Sequence, residues 1–306
     1  MINQMQSEEA WTIAQALQAD GYDTSELHET NVPLDTRELI QLLMHILDKN
    51  YTFIRTHSDF QLTASQTTQF LKLKKQLQTG TPLAYVLGTQ AFWTLELKVT
   101  ADTLIPRPDT EMVVITILEL LPKNKSIKVI DMGTGTGAIA LSLASECPLW
   151  QVTATDFSSA ALAVAQENAQ THDLTHVRFL QGSWFEALVA KETFDLIVSN
   201  PPYIDPDDVH LDNLTHEPIT ALVAQDQGLS DLRMIIEQAT DYLNVDGLLV
   251  LEHGYDQGQK VRDLMVFAGL KDVRTIKDYG GHDRVTLGRK NEMSKVEMSK
   301  VEMTQC

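Results

Sequence analysis

The residues most able to do chemistry lie in Val198-Ser199-Asn200-Pro201-Pro202-Tyr203-Ile204, where an apolar run from Phe194 to Val198 stops at an asparagine followed by two prolines. Such a run reads as a buried strand, and a proline pair cannot extend a strand ladder, so the backbone leaves the sheet at Asn200. Asn200 then stands at the carboxyl edge of a strand, where open α/β sheets place their ligands. The stretch offers a carboxamide, a peptide carbonyl beside a rigid ring and a phenol, with no acid or thiol placed as an obvious nucleophile. That set suits a planar, neutral nitrogen group. An amide nitrogen is a poor nucleophile because its lone pair is delocalised into the carbonyl. Two acceptors, the Asn200 side-chain oxygen and the Pro201 carbonyl, would hold its two hydrogens and turn the lone pair toward an electrophile. The proline ring stiffens that carbonyl, and Tyr203 can stack on the flat target and shield it from water.

A second constellation, Asp131-Met132-Gly133-Thr134-Gly135-Thr136-Gly137-Ala138, falls between an apolar strand and a helix. Closely spaced glycines there let a ligand approach backbone amides. Gly133, Gly135 and Ala138 satisfy the dinucleotide pattern GxGxxA, which is weak alone. The competing reading is an S-adenosylmethionine loop, with Asp131 holding the cofactor's amino-acid portion and the segment Gly133, Thr134, Gly135, Thr136, Gly137 accommodating it. Asp156 ends the next strand and is placed to take two ribose hydroxyls; its plainer reading is a helix cap ahead of Ser158 and Ser159. Trp184, in Gly182-Ser183-Trp184-Phe185, can lie along an adenine face while Phe185 packs. The asparagine motif decides between the cofactors, because hydride transfer from a nicotinamide has no use for paired acceptors. A DNA adenine-N6 methyltransferase poses the same lone-pair problem and is the nearest alternative. A non-catalytic cofactor-binding module is a further one, and the intact motif argues against it.

These residues need a scaffold. From Ile127 onward, short apolar runs alternate with helical patterns, the mark of a largely parallel sheet flanked by helices. Strands are expected at Ile127 to Asp131, Gln151 to Thr155, Val177 to Leu180, Phe194 to Ser199, Gly247 to His253, Val273 to Lys277 and Arg284 to Leu287. The last two are joined by a short turn and form an antiparallel hairpin. Helices are expected near Ala138 to Ser145, Ser159 to Thr171, Leu229 to Leu243 and Asp256 to Ala268. Before the sheet, Ser7 to Leu17, Leu34 to Leu47 and Ala64 to Gln78 carry helical spacing. Tyr85 to Val99 reads as a linker with a hairpin, and Asp109 or Thr110 caps the helix from Met112 to Leu121. The organisation is thus a helical domain over 1–80, which reads either as a self-contained fold cap or as a substrate-docking platform, a hairpin linker over 81–103, an α/β domain over 104–290 and an unstructured tail over 291–306. Within that tail Met293-Ser294-Lys295-Val296-Glu297 repeats once, with a period that fits neither helix nor strand.

Composition narrows the function. A formal charge of -18, from 42 acidic and 24 basic residues among 306, speaks against affinity built on nucleic-acid phosphates. Cys147 and Cys306 form no disulfide framework or metal motif, so no metal is expected and a reducing compartment is. The start of the chain lacks a basic region followed by an apolar run, and its most apolar helix is far short of a bilayer, so a cytoplasmic protein without membrane association is expected. His172 and His176 are read as solvated, His253 as packed, and Asp205-Pro206-Asp207-Asp208 as an exposed loop.

Taken together, Gly80 to Gly88 (GTPLAYVLG), Leu104 to Glu111 (LIPRPDTE), the glycine loop, Asn200 to Asp205, Glu217-Pro218, Leu251 to Gly254 and Asp278 to Gly280 resemble the peptide chain release factor glutamine methyltransferases, the HemK or PrmC family. The likeness runs from about Leu34 to Arg289. It implies a Rossmann-like, seven-stranded class I methyltransferase sheet with a small all-α amino-terminal domain. It further implies methyl transfer from S-adenosyl-L-methionine, leaving S-adenosyl-L-homocysteine, to the side-chain N5 of the glutamine in the Gly-Gly-Gln motif of class 1 release factors. On that analogy Asp131, Gly133 to Gly137, Asp156, Trp184 and Asn200 hold the cofactor, and Asn200, Pro201, Pro202 and Tyr203 hold the glutamine. Phe92 and the loop from Pro106 to Pro108 line the pocket. A monomer with release factors as partners and no direct nucleic-acid contact is expected.

Overall fold

The computed structural model describes residues 10–18, 34–188, 192–209, 211 and 214–291. The expected helix start at Ser7 and the repeated tail lie outside them. The chain divides into two compact units, 1–89 and 90–306.

The first unit is helical, with helices Ile13–Gln18, Thr36–Leu47, Tyr51–Thr56, Ala64–Gln78 and Leu83–Leu87. Two of them start on reciprocal caps, Asp35 with Glu38 and Thr63 with Gln66, which satisfy amide donors the first turn would otherwise orphan. Apolar residues at helical spacing close a core of Ile13, Leu39, Leu42, Leu43 and Phe70, each at most 1% exposed. Tyr51–Thr56 is too short to show a helical period, although Asn50 caps it through the Phe53 amide. Leu83–Leu87 falls where the sequence pattern points to a linker, and Gly88 ends it in the left-handed region at φ +78°.

In the second unit a two-stranded hairpin, β1 (Thr89–Phe92) and β2 (Leu95–Lys98), precedes a seven-stranded sheet. That sheet holds β3 (Lys128–Met132), β4 (Gln151–Asp156), β5 (Arg178–Gln181), β6 (Phe194–Ser199), β7 (Leu243–Glu252), β8 (Leu270–Lys277) and β9 (Asp283–Lys290) in the order β5-β4-β3-β6-β7-β9-β8. The first five are mutually parallel, and β9 runs antiparallel between β7 and β8. The α/β sheet and its terminal hairpin agree with the sequence pattern.

Alternation along each strand sends neighbours to opposite faces. Val129, Leu196, Val198, Leu248 and Val250 pack on one side with residues of helices Glu111–Leu120 and Ala138–Glu146. Ile130, Ile197, Leu249 and Leu251 pack on the other with Ser230–Tyr242 and Gly258–Phe267. Both faces are thus covered, and this is why the strands read as unbroken apolar runs. Each such side chain contributes about 1.5–3 kcal/mol on burial. Successive strands turn back toward β5 on one side of β3 and toward β8 on the other, so the strand order reverses between β3 and β6. At that switch point the register aligns Asp131 with Val198 and Met132 with Ser199, opening a crevice just beyond the strand ends.

Candidate active site

The loop after β3 is built around Asp131, which is 1% exposed. Its Oδ2 accepts from the Thr134 hydroxyl at 2.6 Å and the Ala140 amide at 3.1 Å, while Oδ1 has no partner. Burial lifts this carboxyl from 3.8 to about 7. Gly133 and Gly135 sit at φ +69° and +55°, a region that L side chains rarely occupy. A Cβ on Gly135 would meet nothing within 4 Å, whereas one on Gly137 would press on Leu141 at 2.9 Å. Gly135 therefore borders open space, and Gly137 is small for packing.

Asp156, the last residue of β4, accepts from the Gly135 amide and the Ser158 amide, both at 2.9 Å. Ser158 caps the following helix through the Ala161 amide, so Asp156 is not its cap. Burial raises the Asp156 carboxyl above its ordinary value. Trp184 opens a 3-10 turn at φ +46° with its ring against Gly133, where a Cβ would lie 3.4 Å from Cζ3. Phe185 turns away and stacks on Tyr242 at 4.4 Å.

Asn200 leaves the end of β6. Its Nδ2 donates to the Thr110 hydroxyl at 3.2 Å, and among the described residues no hydrogen bond engages Oδ1. Pro201 is buried. The Tyr203 hydroxyl donates to Glu252 Oε1 at 3.2 Å, and burial pushes that phenol well above its ordinary value. The turn is held from behind, where Gln257 Nε2 donates to the Tyr203 carbonyl at 3.0 Å. A cavity of about 710 Å³ joins these parts, lined among others by Gly133, Gly135, Asp156, Trp184, Asn200 and Pro202, with Asp102, Leu104, Pro218, Thr220 and Asp231 around it. It is large enough for a small-molecule ligand and a substrate side chain together.

Residues 22–88 match the family model described as the PrmC N-terminal domain, and residues 114–265 match the methyltransferase small domain. The release factor glutamine methyltransferase of Xylella fastidiosa strain 9a5c is 48% identical over 250 residues, covering 81% of this chain and 90% of that protein. The chain belongs to the release factor glutamine methyltransferase family. The Escherichia coli K12 protein of the same name is 45% identical over 267 residues, 87% of this chain and 95% of its own. The fold alone is shared with a methyltransferase from Pyrococcus furiosus, at 20% identity and a TM-score of 0.51 over 75% of this chain and all of that one.

Within this family member, six of the expected residues meet on the cavity wall: Gly133, Gly135, Asp156, Trp184, Asn200 and Pro202. Others lie elsewhere, for visible reasons. Thr134 and Thr136 are buried and serve the loop, the first bonding Asp131 and the second giving its carbonyl to Asn168. Phe92 is 1% exposed in the core with Leu95 and Leu97, so its ring does not reach the cleft. Tyr203 packs against the core beneath β6 and β7 with its hydroxyl on Glu252, not along the cavity. Neither Asp109 nor Thr110 caps the helix Glu111–Leu120: Asp109 pairs with Arg284 at 3.3 Å and Thr110 serves Asn200.

Four supporting residues were given no role by the sequence reading, although Glu217 and Glu252 fall within segments that carry the resemblance. Glu217, 7% exposed, accepts from the Ile105 amide at 3.0 Å and pairs with Arg107, tying the segment before the first sheet helix to the Pro218 wall. Glu252 ends β7, is 1% exposed, and is raised to about 7 by burial, with Oε2 unpartnered. Arg284 pairs with Asp109 and Asp278, and Gln257 braces the turn. Glu252 had a signal, since an acid closing an apolar strand is what marked Asp156. Apart from its place in the resemblance, Glu217 had none, because its partners are more than 100 residues away in sequence. His253 is packed as expected, bonded to Thr286 at 2.7 Å. His172 bonds the Glu96 carbonyl, and among the described residues no cluster of acids, His and Cys could hold a metal. No helix among them is long and apolar enough to cross a membrane.

Proposed function

We propose that this chain transfers a methyl group from S-adenosyl-L-methionine to the side-chain amide nitrogen of the glutamine in the Gly-Gly-Gln motif of class 1 release factors. The observation that carries it is Asn200 at the switch point on a glycine-lined cavity, its Nδ2 engaged by Thr110 and its Oδ1 without a hydrogen bond among the described residues. The named relatives lend no support to the DNA adenine reading.

The residues fit the cofactor. A ribose diol needs paired acceptors, and Asp156 supplies a carboxylate on the cavity wall. A cationic amino group needs a carboxylate, and Asp131 holds a buried oxygen with no partner. The methionine backbone needs room beside the loop, and Gly135 borders open space. Trp184 offers an aromatic face. When bound, the cofactor supplies an electrophilic methyl on a sulfonium. The protein's own work is positioning: Asn200 Oδ1 and the Pro201 carbonyl accept the two amide protons, the proline ring fixes that carbonyl, and Tyr203, tied to Glu252, stiffens the turn. No side chain on the cavity wall need act as a strong base, since the methylated nitrogen sheds its proton only once it has become acidic.

The helical unit docks the release factor, a reading supported by its separate core and its match to the PrmC N-terminal domain. Partners are release factors, and the enzyme works as a monomer in the cytoplasm without direct nucleic-acid or membrane contact. The test is incorporation of labelled methyl into a release factor and into its Gln-to-Ala variant. Label confined to the glutamine form is expected, and equal label in both sinks the proposal. Asn200→Ala is expected to keep cofactor affinity and lose transfer by about 10²-fold or more.

A further inference from the structure

A carboxamide is nearly symmetric in shape, so the site works only if something decides which end of Asn200 faces the cavity. With Nδ2 inward, the side chain would present donors to a substrate that brings two N–H groups of its own, and the one aimed at Asn200 could not be accepted. The end that faces inward is chosen from behind. Thr110 is 4% exposed, and its hydroxyl is the acceptor for Asn200 Nδ2 at 3.2 Å. Thr110 stands at the N-cap position of the helix Glu111–Leu120 with no side-chain cap hydrogen bond, so no amide of the helix competes for its oxygen. While that oxygen holds Nδ2, the other end of the carboxamide is left for the cavity.

We propose that Thr110 is a positioning residue for methyl transfer: its hydroxyl accepts from Asn200 Nδ2 and so holds the amide with Oδ1 toward the substrate. This rests on the role given to Asn200 above. Thr110 does not line the cavity, so it does not touch the substrate, and the effect travels through one hydrogen bond.

The test uses the full-length enzyme and its release factor, with Asn200→Ala measured alongside. Thr110→Val keeps shape and removes the hydroxyl, while Thr110→Ser keeps the hydroxyl. Expected are a kcat loss of about 10²-fold in the valine variant with the cofactor KM within about twofold of the parent, and recovery to within about threefold in the serine variant. If Thr110→Val turns over like the parent while Asn200→Ala is dead, the inference falls and the role of Asn200 stands. If Asn200→Ala is active, that role falls and takes the inference with it. Serine as impaired as valine would mean that the methyl group matters through packing, which also overturns it. Should the valine variant fail to fold, Thr110→Cys against Thr110→Ser decides, since a thiol of similar size is a poor hydrogen-bond partner; equal turnover in the two refutes the inference.

Discussion

Gly228→Ala is the sharpest test of how the Asn-Pro-Pro-Tyr turn is held. Gly228 lies at φ +76°, and a Cβ there would stand 2.0 Å from the Tyr203 carbonyl oxygen and 2.7 Å from Gln257 Nε2. Asp226 and Gln227 before it are also left-handed, at φ 58° and 55°, so the segment presses its backbone against the turn with no slack. The left-handed conformation alone costs a residue with a Cβ about 1–2 kcal/mol. Overpacking adds roughly 1–3 kcal/mol, because the Tyr203 carbonyl is backbone and cannot rotate away. The sum, about 2–5 kcal/mol, is within what a domain of this size can lose and stay folded. To reach ordinary contact, the carbonyl must retreat by about 1 Å, and a shift of that size at a reacting centre costs about 10²-fold in rate. Urea titration and kcat on the same preparation measure both quantities. Gly281→Ala is the control: its φ is +83° but nothing lies within 4 Å of the new Cβ, so strain without displacement is expected. A Gly228→Ala enzyme with the parent's kcat, or a Gly281→Ala enzyme equally slowed, would refute the reasoning.

Three further outcomes are expected. Asp131 rises from 3.8 to about 7 on folding, so its contribution favours the folded state below pH 4 and is lost as pH climbs through 7. The shift amounts to about 4 kcal/mol, and Asp131→Asn should flatten that part of the pH-stability curve in urea titrations; an unchanged slope counts against it. At pH 6 Asp131 is mostly protonated, so capture of a cationic amino group there should release a proton, read as a buffer-dependent heat of S-adenosylmethionine binding that Asp131→Asn abolishes. Glu217→Ala leaves the Ile105 amide unpaired and frees Arg107, which should cost about 1–3 kcal/mol and raise the KM for the release factor; no change in either would show that Glu217 does not hold the wall.

The sheet was legible because its strands are buried on both faces. Unbroken apolar runs such as Phe194 to Val198 leave few alternatives, and acids or amides at their ends mark the ligand edge without tertiary information. That Asp156, Gly135, Trp184 and Asn200 would come together on one cavity wall was readable on that ground, each lying at or shortly after a strand end. Phe92 was assigned to the pocket by the resemblance alone, and the structure buries its ring in the core with Leu95 and Leu97 of the facing strand. Thr110 and Asp109 were misread as caps because capping is a local rule, and both side chains are drawn off by distant partners, Asn200 and Arg284. Local signals fail where a long-range hydrogen bond outbids the nearest free amide.

The two buried carboxyls give that failure a direction. Asp131 sits near the end of β3 and Glu252 at the end of β7, the two neighbours of β6. Each is 1% exposed, each is raised to about 7, and each leaves one oxygen without a partner. An orphaned buried acceptor costs about 1–3 kcal/mol, and a core of this packing had apolar alternatives at both positions. For Asp131 the cost makes sense if its free oxygen has a proton to receive, and on the proposed reading that proton comes from the cofactor's amino group. The strand that ends in Asn200 is then flanked by two unfilled acceptors, one on the cofactor's side and one at the end of β7 beside the Tyr203 hydroxyl.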